Sequence, residues 1–185
     1  MVWLIYFALL AKSALGYDVN NQFDLLKKRR FLPLFLTQFL GAFNDNVYKN
    51  ALIILLTFQT ASYTAMSVST LINLAGGLFI IPFFLFSATF GQYADKMEKS
   101  RLIRITKLLE ITITILAAIG FFSHNLFIMM LALFLLGVQA TLFGPVKYSI
   151  LPQQLKSVEL VGGNGLIEMG TFVAILVGTI LGGVL

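Results

Sequence analysis

Residues 41–50 read GAFNDNVYKN and stand between the apolar runs FLPLFLTQFL (31–40) and ALIILLTF (51–58). Within ten residues fall Asn44, Asp45, Asn46, Lys49 and Asn50. If this stretch were a loop, each flanking half would hold about 10–13 apolar residues, whereas a helix needs about 20 to cross the hydrocarbon core. The better reading is one long helix over 31–58. Thr37, Gly41, Asp45, Lys49 and Leu52 then fall on one stripe of that helix. Asp45 precedes Lys49 by one turn, the favoured order for a helical acid–base pair. Asn46 and Asn50 occupy the adjoining stripe and Asn44 flanks it. A polar wedge this wide is expected to face a bundle interior or a watery cavity, and the leading expectation is a substrate-related, cavity-lining role. The alternative is a structural ion pair with helix-to-helix hydrogen bonds.

Composition points the same way. The chain of 185 residues is 58% hydrophobic and 11% charged, with a mean hydropathy of +0.90. Soluble domains carry about 25% charged residues. So little polar side chain could not cover a soluble surface, and an all-α, polytopic membrane bundle is expected. Cysteine is absent, which removes disulfides, thiolate metal sites and cysteine nucleophiles. The only histidine, His124 in SHN (123–125), reads as a solvated turn residue. No nucleophile–base set, metal cluster or phosphate loop is visible, so no catalytic residue, metal or cofactor is expected, and an enzyme reading is weak.

Five apolar windows are expected to span the membrane, at about 31–58, 66–90, 102–122, 126–151 and 160–185. The bases sit on alternate connections. Lys27, Lys28, Arg29 and Arg30 precede the first span; Lys96, Lys99, Arg101, Arg104 and Lys107 lie between the second and third; Lys147 and Lys156 lie between the fourth and fifth. QTASYTA (59–65) and SHN hold none. The positive-inside rule therefore places the N-terminal side of the first span in the cytoplasm. The net charge of +5 is topological, with contact to anionic headgroups, and nucleic acid is the poorer partner. Residues 1–26 are expected to be an apolar, interfacial or disordered segment, and 27–185 the helical bundle.

Ionisable residues inside spans are functional candidates by default. Glu168, within VGGNGLIEMGTF, lies near the inner third of the fifth span, four residues after Asn164. It could be a proton site, a partner for Lys49, or an acid snorkelling to the interface. Gly178 and Gly182 give a GxxxG spacing that signals close helix packing. Lys107 and Glu110, near the cytoplasmic end of the third span, are sufficiently explained by snorkelling and a local ion pair. After FGPV, Gly144 and Pro145 are expected to disrupt the helix, so that Lys147 and Tyr148 could meet a phosphate headgroup. An ordinary positive-inside anchor is the alternative. In GQYADKMEKSR (91–101), Gly91 is expected to permit a tight exit from the second span, and Asp95 to accept hydrogen bonds from a helix N-terminus or a base. With Lys96, Lys99 and Arg101 it would form a conformational latch, unless it is merely a solvated turn.

GQYADKMEKSR resembles the loop signature of the major facilitator superfamily, G-x-x-x-D-R/K-x-G-R/K-R/K, with Glu98 where that pattern usually has glycine. FLPLFLTQFLGAFNDNVYKNALIILLTF, LFGPVKYSILPQ and GGNGLIEMGTFVAILVGTILGG are similar to the bacterial lysophospholipid transporter branch, which occurs alone or fused ahead of acyltransferase and acyl-carrier-protein synthetase domains. The resemblance covers about residues 31–185. It implies two six-helix halves rocking about a central site in the bacterial inner membrane. It implies inward movement of lysophosphatidylethanolamine or lysophosphatidylglycerol, carried by Asp45 and its neighbours, the loop at Asp95, Lys147, Tyr148 and Glu168. The alternatives are another facilitated substrate, such as a drug or organic anion, or an inactive structural membrane fragment. Twelve spans would need about 400 residues, so the chain is expected to be a truncated product, one portion of a split transporter, or a small protein dimerising through its fifth span. The first of these is favoured.

Overall fold

The structure is a computed structural model and describes residues 19–184. Residues 1–18 of the N-terminal segment, and Leu185, lie outside the described residues. Five long helices follow a 3-10 segment at Val19–Lys27: α1 (Leu32–Tyr63), α2 (Val68–Lys96), α3 (Lys99–Phe122), α4 (Leu126–Gln154) and α5 (Leu160–Val184). A second 3-10 turn, Ser157–Glu159, leads into α5. No strand occurs among the described residues.

Local chemistry sets the boundaries. Pro33 stands in the first turn of α1, where its missing N–H is harmless. Ser67 and Asn125 cap α2 and α4 by accepting from Thr70 N (3.3 Å) and Ile128 N (3.2 Å). At the α3–α4 turn, His124 adopts φ +49°, the left-handed geometry that reverses a chain. Backbone geometry breaks inside α1 at Gln59 (φ −125°, ψ 18°), so its continuous membrane portion ends where the apolar run does.

α2 to α5 are each long and apolar enough to cross a membrane. α1 has 32 residues, a length of about 48 Å, and is long enough too; its polar stretch is what sets it apart. The bundle is that of a multi-pass membrane protein. Large apolar side chains such as Phe58, Phe84, Phe122, Phe127 and Phe172 point outward, as lipid-facing residues do.

α1 lies along α5, and α4 lies between α2 and α3. Small residues allow the close approaches. A Cβ on Gly178 would stand 2.8 Å from Phe43 O, and Gly182 lies against the Val47 backbone. The GxxxG face of α5 is thus covered by α1 of the same chain. Gly137 of α4 lies against the Phe79 carbonyl and Pro82 of α2. We predict that Gly178→Ala destabilises the bundle by about 1–3 kcal/mol, the usual cost of overpacking. Gly183→Ala, whose Cβ would meet nothing within 4 Å, should leave the unfolding midpoint in detergent unchanged.

All five helices cross between the same two ends. One end gathers the N-termini of α1, α3 and α5 and the C-termini of α2 and α4. Here Lys28 and Arg30 both bind Glu159, at 2.8 and 2.7 Å, and Arg30 donates to Gln154 O. Phe31 and Leu25 are buried beside Leu151 and Ile167, so the basic segment is packed down. At the other end Tyr63 Oη meets His124 Nδ1 at 3.0 Å. Of the bases predicted to share one side, those before α1, those around the α2–α3 connection and Lys156 fall at this end, whereas Lys107 and Lys147 stand deeper in the bundle.

Two details of the α2–α3 connection differ from expectation. The stretch 91–101 is almost wholly helical, with only Met97 and Glu98 between α2 and α3. Gly91 stands inside α2 and is not its exit; the helix stops later because Lys99 caps it. Lys99 donates to the carbonyls of Ala94, Asp95 and Met97, as a base near a helix C-terminus does. The accepting role expected of Asp95 belongs to Glu98, which takes the amides of Ser100 and Arg101 at 3.0 Å each. The Ser100 hydroxyl and these two amides hold the Glu98 carboxyl below the usual glutamate range. Asp95 is exposed on the last turn of α2, beside exposed Lys96.

Candidate functional site

The polar stretch of α1 contains no exposed residue from Gly41 to Asn50. It does not form a single wall, however. Successive helix residues are rotated by about 100°, so Asn44, Asp45 and Asn46 point toward different neighbours. Asn44 donates to Thr114 Oγ1 of α3 at 3.2 Å. Asn46 is buried, bonds Ala42 O, and lies where α5 presents Gly178. Asn50 donates to Asn46 O (2.8 Å) and to Thr179 Oγ1 of α5 (3.3 Å). The asparagines thus join α1 to both α3 and α5.

The Asp45–Lys49 ion pair of the alternative, structural reading is not formed. The Lys49 ammonium extends toward α2 and lies 4.4 Å from the centre of the Phe79 ring, a cation–π contact that holds it away from its neighbour on α1. Asp45 Oδ1 is buried and has no hydrogen-bond partner among the described residues. Two grooves open beside its neighbours Asn44 and Lys49, and Asp45 itself lines neither. One, of about 220 Å³, lies between α1, α3 and α4, walled by Tyr48, Ala117, Phe121 and Leu136 with Asn44 and Thr114 as its polar groups. The other, of about 210 Å³, joins Lys49 to Ala75, Gly76, Phe79 and Leu133.

The sequence did not indicate a second polar group at the same depth. Glu110 pairs with Lys107 at 2.6 Å and accepts from Gln139 Nε2 at 2.8 Å. Lys107 also lies 4.5 Å from the Phe143 ring centre. The pair was expected to snorkel toward the cytoplasmic end. It turns inward instead, because Gly41 of α1 leaves the space: a Cβ there would stand 2.5 Å from Lys107 Nζ. A signal for this existed. Thr106, Ile113 and Ala117 are buried on α3, and Glu110 falls on their helical stripe.

The third group lies between α4 and α5, about 10–12 Å from the basic end at a helical rise of about 1.5 Å per residue. Glu168 Oε1 accepts from Tyr148 Oη at 2.5 Å and from Lys147 Nζ at 3.4 Å. The Lys147 ammonium is 4.7 Å from the Tyr148 ring centre. Glu168 is therefore the partner of Lys147 and Tyr148 and not of Lys49. α4 runs unbroken through Gly144 and Pro145 to Gln154, so the expected disruption does not occur and Lys147 and Tyr148 are held on a regular helix. Asn164 donates to Leu160 O of its own helix (2.9 Å) and takes no part in the group.

A family model described as Major Facilitator Superfamily matches residues 34–185. The chain is 31% identical over 160 residues to the lysophospholipid transporter LplT of Serratia proteamaculans (strain 568), covering 86% of this chain and 37% of that protein. It is 31% identical over 168 residues to LplT of Cronobacter sakazakii (strain ATCC BAA-894), covering 91% and 39%. It is 34% identical over 150 residues to LplT of Escherichia coli (strain SE11), covering 81% and 35%. The chain thus spans just over a third of the length of the curated relatives it matches. No solved structure matches it.

Proposed function

Because the chain belongs to the Major Facilitator Superfamily, we propose that it supplies the first helices of a transporter that moves lysophospholipid across the bacterial inner membrane. The observation that carries this reading is Asp45: a carboxylate in the middle of α1 whose Oδ1 has no partner among the described residues. A purely structural ion pair would have satisfied it. A carboxylate oxygen left without a partner at mid-span is costly, and a fold keeps it where a ligand or a conformational change engages it. The named activity of the relatives supports the cargo class.

In this reading the basic end faces the cytoplasm, as the asymmetry of Lys and Arg suggests. Asn44, Asp45 and Lys49 border the path, with Asn46 and Asn50 fixing α1 to α5. Lys147 and Tyr148, with Glu168, meet the lipid phosphate nearer the basic end. The α2–α3 hairpin, with Gly91, Asp95, Lys96, Lys99 and Arg101, is the element that moves between conformations. The apolar walls beside Asn44 and Lys49 suit a cargo that is largely acyl chain.

The test is uptake of radiolabelled lysophosphatidylethanolamine by spheroplasts of a transport-deficient strain, read as reacylated product. Uptake restored by this chain, alone or with a co-expressed partner half, supports the reading. Absence of uptake in both arrangements, with the chain present in the membrane, refutes it.

A further inference from the structure

We infer that Lys49 forms a second phosphate-binding position in the half of the bundle away from the basic end, where a lysophospholipid phosphate takes its ammonium from the Phe79 ring. The inference rests on the lysophospholipid reading and adds a binding position to it, one that treats all headgroups alike.

The starting point is an unsatisfied cation. Lys49 makes no ion pair among the described residues, and its ammonium lies against the face of Phe79 at 4.4 Å. That contact places the charge without neutralising it, and the ammonium protons remain available to acceptors. A lysine inside a span is kept where a partner, a cavity or a ligand meets it. Lys49 is the sole polar side chain of the groove it shares with Ile53, Ala75, Gly76, Phe79 and Leu133. Asp45, one turn nearer the basic end, does not line that groove, so an anion entering it meets the ammonium first.

The shape of the groove fits a phosphate with an acyl chain. Its volume of about 210 Å³ is below the range of about 300–1,000 Å³ typical of pockets that enclose a whole ligand. It therefore takes the head of a lipid and leaves the chain outside. Gly76, Ile80 and Phe84 follow one another at helical spacing on α2 and are all exposed, and a Cβ on Gly76 would meet nothing within 4 Å. This apolar stripe runs from the groove toward the basic end. A lipid of the opposite leaflet points its chain the same way.

Height separates this position from the group at Lys147. At a rise of about 1.5 Å per residue, Lys49 and Phe79 each stand about 25 Å from the basic end along their helices, and Lys147 and Glu168 about 10–12 Å. A phosphate is too small to touch both ammoniums, so the two are successive stations for one headgroup. A charge-assisted hydrogen bond to a phosphate oxygen is stronger than a cation–π contact with phenylalanine, which lets the lipid take the ammonium without breaking an ion pair.

The test measures binding to the purified chain in dodecyl maltoside by native mass spectrometry, at an ionic strength that screens the exposed bases of the basic end. The probes are lysophosphatidylethanolamine, lysophosphatidylglycerol and the monoacylglycerol of the same chain length, which lacks the phosphate. Lys147→Gln should still bind both lysophospholipids about tenfold tighter than the monoacylglycerol, the scale of one charge-assisted hydrogen bond. Adding Lys49→Gln should bring that ratio near one for both lipids and leave monoacylglycerol binding unchanged, which a misfolded chain would not do. Lys147→Gln combined with Lys49→Arg should keep the ratio. If Lys147→Gln alone removes the preference, or if the Lys147→Gln/Lys49→Gln variant keeps it, the inference fails and the lysophospholipid reading stands. Loss of monoacylglycerol binding as well would make Lys49 structural and would also overturn the inference. If the wild type binds neither lysophospholipid tighter than the monoacylglycerol, the reading itself fails.

Discussion

Asp45→Asn is expected to reduce lysophospholipid uptake by at least about tenfold, one lost charge-assisted contact, without lowering the thermal midpoint of the purified protein. The stability side follows from the geometry. Asp45 Oδ1 has no partner, and Lys49 is engaged with Phe79, so neutralising the acid breaks no ion pair. Replacing a carboxyl group whose buried oxygen has no partner breaks no bond and removes a desolvation cost, and the midpoint should hold or rise. The functional side follows from the proposed role, since an amide keeps the shape but not the charge. Residues kept for function at the expense of stability show this opposition. Uptake and circular dichroism on the same preparation read both. A fall in the midpoint with uptake retained would show that Asp45 is structural.

Glu110→Ala is expected to have the opposite profile and the largest effect on stability, about 3–5 kcal/mol. Glu110 holds Lys107 at 2.6 Å and Gln139 at 2.8 Å, and the side chains of the ion pair are only 22% and 12% exposed. Truncating the acid leaves an uncompensated cation against Gly41 of α1, and α3 loses its polar tie to α4. The double variant Lys107→Met/Glu110→Leu should recover most of the loss, because a buried pair replaced by apolar groups of similar volume is often neutral. Thermal unfolding of Lys107→Met, Glu110→Leu and the double variant checks this. Additive losses would mean that the contact contributes nothing.

The helices themselves were legible in the sequence, because length and apolarity decide whether a segment spans and bases mark one end. Gly178 and Gly182 also announced a close approach, and α1 makes it. The pairing of the polar groups was not legible. Helical spacing says that Asp45 and Lys49 share a stripe, but the partner on offer, Phe79, belongs to α2. Likewise Glu168 finds Lys147 and Tyr148 only once α4 meets α5. Lys107 and Glu110 looked like an interfacial pair because the stripe that Glu110 shares with Thr106, Ile113 and Ala117 does not by itself say that Gly41 of α1 opens space for them. The stretch 91–101 looked like a loop because its charges outweighed the capping by Lys99 and Glu98 that keeps both helices intact.

The most direct test of the claim that the polar stretch of α1 borders a transport path uses the absence of cysteine from the chain. Asn44→Cys and Lys49→Cys place thiols in the two grooves, while Leu40→Cys and Phe58→Cys place them on the outward apolar surface. Labelling in intact membranes with a charged, membrane-impermeant maleimide, which reaches only thiols in contact with water, should modify positions 44 and 49 and spare 40 and 58. Protection of 44 and 49 by lysophosphatidylethanolamine would tie the water path to the lipid. No labelling at 44 or 49, under conditions that label a control thiol in the connection at 64–67, would contradict the account.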